Sequence, residues 1–195
     1  EVRSGHVELL NGGTHTAGRF VIAAGSTVKL ASDQAGLTTH LAGTLTGSGD
    51  GRLIMDQGRL ATYGGGGTFD FPAGFFHWSG GMILSGSTYF TNAGTITVDG
   101  PVRLDSAVNT GRLVQAPTGA LSLNGIIFNR PGAEFELQGD VGLEHSGGRI
   151  ENDGVIHKSG GTGTSVIDVT AINRGTLVVD SGRLQFARGL EQKAG

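Results

Sequence analysis

The chain has 195 residues, of which 37 are glycine, only 4 are proline and none is cysteine. That excludes disulfides, thiolate metal sites and cysteine nucleophiles, and glycine that fails to recur at every third position excludes collagen. A net charge of −3, from 14 basic and 17 acidic side chains without any basic run, argues against a nucleic-acid partner.

No apolar run approaches the length of a membrane span. Val, Ile, Leu and Phe are spread along the whole length, which speaks against disorder. Short apolar pairs between glycines predict many short strands joined by tight turns. Taken in chain order, "GRFVIAAGSTVKL" (18–30), "HLAGTLTGSG" (40–49) and "GRLIMDQGRLATY" (51–63) share one phrase: Gly, any residue, apolar, any residue, apolar. Residues 31–39, "ASDQAGLTT", read as an excursion between two such units.

The next stretch, "ATYGGGGTFDFPAGFFHWSGG" (61–81), carries Tyr63, Phe69, Phe71, Phe75, Phe76 and Trp78, half of the chain's aromatic side chains. It reads as an irregular insertion or corner. In one reading the rings pack inward and fill a wider coil. In the other, exposed rings such as Trp78 and Tyr63 stack on sugar faces, and Asp70 and His77 supply hydrogen bonds. A third reading is a protein interface.

From residue 92 the phrase acquires a preceding Asn. Asn92 precedes Gly94, Asn109 precedes Gly111, Asn129 precedes Gly132, Asn152 precedes Gly154, and Asn173 precedes Gly175. The Gly-to-Gly spacings are 17, 21, 22 and 21, and five of the chain's seven Asn residues occupy this slot. A period near 21 with strand-like content points to a solenoid, because one such unit cannot bury its apolar side alone. The fold class is therefore all-β: a single-stranded parallel β-helix over 1–195, with coils roughly 4.8 Å apart. Nine or so coils would make a rod roughly 45 Å long.

Alternation within each coil then assigns sides. Ile96, Val98, Leu113, Phe135, Leu137, Ile156, Leu177, Val179, Leu184 and Phe186 should face inward, and Thr176, Arg183 and Gln185 outward. The phrase Gly-Arg-apolar, at Gly18, Gly51, Gly58, Gly111, Gly148 and Gly182, reads as turn, outward Arg, inward apolar residue. The Asn residues suit a turn because Asn tolerates the left-handed backbone region. Stacked along the axis, their amides would also form a hydrogen-bonded ladder.

Motifs with chemistry are scarce. "GGTGTSVID" (160–168) has Ser165 where a calcium-binding β-roll needs its first Asp. "GGGG" (64–67) lacks the Lys and helix of a phosphate loop. Glu134 and Glu136 flank inward Phe135 and should share an outward face, the only place where a carboxylate pair for polysaccharide cleavage suggests itself, with Glu144, Asp168 and Asp180 as further acids. The ordinary reading of such a pair is a solvated face. No cofactor and no metal site is implied.

The text of 76–98 and of "NRGTLVVDSGRLQF" (173–186) resembles the repeats of bacterial autotransporter passengers and filamentous-haemagglutinin-type adhesins. That resemblance implies a right-handed parallel β-helix exported to a bacterial surface and carries no catalytic residue with it. The expected function is thus a non-enzymatic structural or adhesive rod, extracellular or on the cell surface. Its expected partners are adjoining segments, identical chains end to end, or surface glycans. The alternatives are a polysaccharide-binding or polysaccharide-cleaving β-helix and a self-assembling filament subunit.

Overall fold

The computed structural model describes residues 1–10, 12–30, 37–86, 88–145 and 147–194. Among them there is no α-helix, and every strand pairing is parallel. The chain winds as a parallel β-helix of three faces.

The first face stacks His6–Leu9, Thr27–Leu30, the start of Arg52–Asp70, the start of Phe76–Leu84, Thr95–Val98, Arg112–Gln115, Glu134–Leu137, Val155–Lys158 and Thr176–Val179. Nine coils are thus stacked in eight steps. In the later coils Arg112 pairs with Glu134, Glu134 with Val155, and Val155 with Thr176. The second face ends in Ala120–Leu123, Leu143–His145, Thr164–Ile167 and Arg183–Phe186. The third ends in Phe90–Asn92, Ala107–Asn109, Ile126–Asn129, Arg149–Asn152, Thr170–Asn173 and Leu190–Gln192.

The expected alternation holds in the interior. Ile96, Val98, Leu113, Phe135, Leu137 and Ile156 are buried. Arg19, Arg52, Arg59, Arg149 and Arg183 are exposed, and Arg112 is half-buried. In the last coil Leu177, Leu184 and Phe186 pack on the core, but Val179 stays 45% exposed because no further coil covers it.

Residues 61–81 belong to the coils: Arg52–Asp70 and Phe76–Leu84 run through the stretch and pair with their neighbours, with a shift of register between the Leu41–Thr62 and Gly43–Gly67 pairs and others between Met55 and Arg59. The glycine column also changes identity at one level. Gly111 rests against Gly94 and Gly175 against Gly154, but between Gly111 and Gly154 the stacked position belongs to Ala133. Gly132 sits one residue earlier, with φ +82 and open space around it, in the turn that Pro131 opens. The excursion expected at 31–39 falls mostly outside the described residues; Thr39 already starts the strand Thr39–Ser48 and is buried.

Candidate functional site

Three sets of residues carry sequence-level functional hypotheses, and the fold places them differently. The aromatic set turns inward. Phe69, Phe71, Phe75, Phe76 and Trp78 are all buried, and the Trp78 indole N–H donates to the Gly80 carbonyl at 2.8 Å. Phe69 meets Phe71, Phe76 and Phe90 at centroid distances of 4.9, 5.0 and 5.0 Å. Trp78 therefore has no free ring face for a sugar, which removes it as a stacking residue. Tyr63 alone of the set is outside, 60% exposed and edge-on to His40. Asp70 is exposed, while His77 is held between the Asp99 carboxylate at 2.7 Å and the Gly74 carbonyl at 3.2 Å. Tyr63, Asp70, His77 and Trp78 do not converge on one surface.

The Asn set also points inward. Asn92, Asn109, Asn129, Asn152 and Asn173 each end a strand of the third face and are buried. None has a positive φ, so the left-handed role expected for them is absent. They form the ladder instead. The side-chain amide of Asn92 donates to the Asn109 Oδ1 at 2.7 Å, Asn109 to Asn129 at 2.7 Å, Asn129 to Asn152 at 2.6 Å, and Asn152 to Asn173 at 2.6 Å. Asn173 passes the bond on to the Gln192 Oε1 at 2.9 Å. At the other end Phe69 occupies the level before Asn92, and the Asn92 Oδ1 is left without a donor. The second amide hydrogen reaches backbone carbonyls, as from Asn109 to Glu134 at 3.0 Å, so the ladder also pins the strand that follows each turn.

Of the acidic set, Glu134 and Glu136 do share the first face but are already paired, while Glu144 lies in a strand of the second face and Asp168 directly follows one. Arg112 contacts the Glu134 carboxylate at 3.0 Å and the Glu136 carboxylate at 2.5 Å. Glu136, nearly buried, also accepts from Ser159 Oγ at 2.7 Å and from Gln138 Nε2 at 3.2 Å. His157 Nδ1 lies 2.7 Å from Glu134 Oε1, and its Nε2 lies 2.7 Å from Asp180 Oδ2. An ionised carboxylate only accepts, so both ring nitrogens donate and the imidazole is held as the cation. Partial burial works against that charge, but the hydrogen bonds and charges of Asp180 and Glu134 outweigh it, and the His157 pKa is raised. The network ties the last four coils together along the first face. It leaves no free acid beside a free base, which general acid–base chemistry needs.

Sequence reading missed two interior polar groups. Lys158 occupies an inward position between Leu137 and Val179 and is fully buried. Its ammonium donates to the carbonyls of Gly139 and Gly160, at 3.0 and 2.7 Å, and to the Asp140 carboxylate at 3.0 Å. Gln115, two coils earlier in the same column, donates to the carbonyls of Gly119 and Gly142. Both satisfy backbone at the corner between the first and second faces. The alternation that marks Lys158 as inward was readable; its carbonyl partners were not.

Among the described residues no group of three or more His, Asp and Glu side chains is placed to hold a metal ion. No helix among them is long and apolar enough to cross a membrane. The concave features are shallow grooves between coils. One of about 410 Å³ lies by Asp140, Glu144 and Asp168, and one of about 260 Å³ lies by Arg59, Met82 and Arg103. In comparisons with known proteins, no family model, no curated protein and no solved structure matches the chain.

Proposed function

We propose that the chain is a structural and adhesive rod, a segment of a secreted or surface protein of a bacterium, that works by stiffness and by contacts spread along its faces. One observation carries this reading: the same three-faced coil repeats nine times with continuous backbone ladders. The acids on the first face are held by Arg112, His157 and Ser159 rather than gathered around an open cleft. Many weak contacts along such a rod add up through effective concentration. Partners of two kinds fit. Surface glycans suit the polar outer faces. An adjoining coil, from the same polypeptide or an identical chain, suits the last coil, where Val179 and Leu190 are exposed and strand edges are open.

The test immobilises the chain on beads and measures retention on polysaccharide-coated surfaces while assaying released reducing ends. Retention without release is expected. Release of reducing ends would replace this reading with polysaccharide cleavage, and absence of retention on every surface would remove the adhesive part.

A further inference from the structure

On the second face the register stacks Arg59, Met82 and Arg103 at successive coils. All three point outward; the two arginines are exposed and Met82 is half-buried. Among the described residues, neither Arg59 nor Arg103 has an ion-pair or hydrogen-bond partner, whereas Arg112, Arg130, Arg149, Arg174 and Arg188 each pair with a carboxylate. They flank the groove of about 260 Å³ that Met82, Leu84, Leu104, Asp105 and Asn124 complete. Asp105 does not answer their charge: its carboxylate accepts from Ser85 Oγ at 2.8 Å and Asn124 Nδ2 at 3.2 Å.

We propose that this groove binds a linear polysaccharide bearing an anionic group on every second sugar, lying along the rod axis. The proposal rests on the adhesive reading above and names the ligand class for one of its faces. Two coil steps separate the arginines by roughly 9.6 Å, the length of a disaccharide in an extended glycan. Each guanidinium offers a planar fork that matches a carboxylate or sulfate in bidentate fashion. Between them Met82 and Leu84 give an apolar floor for the C–H face of the intervening sugar. Asn124 and Asp105 stand at the rim for hydroxyls. Ser85, which donates to Asp105 of this groove, also lines a second one of about 530 Å³ with Gly86, Thr88 and Tyr89. There Tyr89 is 48% exposed, packed on Phe128 at a centroid distance of 5.3 Å, and presents a ring for a further sugar.

The test uses the full chain with hyaluronate, which carries a carboxylate on alternate sugars, and with neutral dextran. Hyaluronate should bind, less tightly as salt rises. Arg59→Ala and Arg103→Ala should each weaken binding about tenfold with unchanged melting, because both side chains are outside. Arg52→Ala, which removes an exposed arginine of the first face, should leave binding as it was. Undiminished hyaluronate binding in the Arg59→Ala/Arg103→Ala double variant would overturn the assignment, as would equal binding of dextran. No binding of hyaluronate at all would also overturn it. Bead retention on other surfaces would then show whether the adhesive reading survives separately.

Discussion

The first four coils and the last five solve one geometric problem with different chemistry. The early coils turn corners inside continuous strands. Arg52–Asp70 runs through three faces, bending at left-handed glycines such as Gly58, Gly64 and Gly66. Their interior is aromatic, built around Phe69, Phe71, Phe76 and Trp78. The late coils break the strand at each corner, and at the corner before the first face Gly94, Gly111, Gly154 and Gly175, with ordinary φ, press against a carbonyl of the coil before. Their third face is held by the amide ladder. The changeover falls where Phe69 meets Asn92. Glycine thus serves two purposes in one molecule, dihedral freedom at Gly64 and close approach at Gly111.

The largest effect should come from the aromatic interior. Trp78→Ala removes a fully buried ring and its hydrogen bond, and should cost about 4 kcal/mol in denaturant unfolding. Next come the glycines, which test the comparison directly. A Cβ at Gly111 would stand 2.1 Å from the Gly94 carbonyl oxygen, whereas one at Gly64 meets nothing within 4 Å. Gly111→Ala should therefore cost about 3 kcal/mol, and Gly64→Ala about 1 kcal/mol, from its φ of +60 alone. Asn at Gly64 should recover part of that loss, and Asn at Gly111 none.

The ladder predicts a gradient. Asn129→Ala breaks bonds to both neighbours and should cost about 3 kcal/mol. Asn92→Ala, at the end whose Oδ1 has no donor, should cost about half as much. Equal losses at the two positions would mean that the amides act singly. The smallest effect concerns His157. Its folded pKa is raised, so its contribution is complete below the unfolded value of about 6.5 and disappears as pH rises through the folded value. His157→Ala should lower stability by about 1 kcal/mol at pH 5.5 and by almost nothing at pH 9, read as melting temperatures across that range.

Much of the architecture was legible because alternation and period are local. Ile96, Leu113, Phe135 and Ile156 could be assigned inward from their own strands. The Asn ladder was legible as a recurrence, although its reason lay in stacking and not in backbone dihedrals. What could not be read depended on register accumulated over coils of unequal length. Ala133 rather than Gly132 stands over Gly111 because Pro131-Gly132 adds two residues to that turn. Trp78 could not be told from an exposed platform, since Phe76 and Trp78 show only that alternate residues share a side, not which side is covered. Arg59 and Arg103 lie far apart in sequence, and their shared groove appears only once Met82 is known to stand between them.

The central claim, that successive circuits of the chain stack in register, is tested most directly by distances along the first face. The chain has no cysteine, so spin labels can be placed cleanly at engineered positions. Labels at Thr95 and Thr176 stand four coils apart, and labels at Arg52 and Thr176 six. Backbone separations of roughly 19 and 29 Å are predicted, growing in proportion to the number of coils. Equal separations for the two pairs, or a shorter one for Arg52 and Thr176, would contradict the stacked coil.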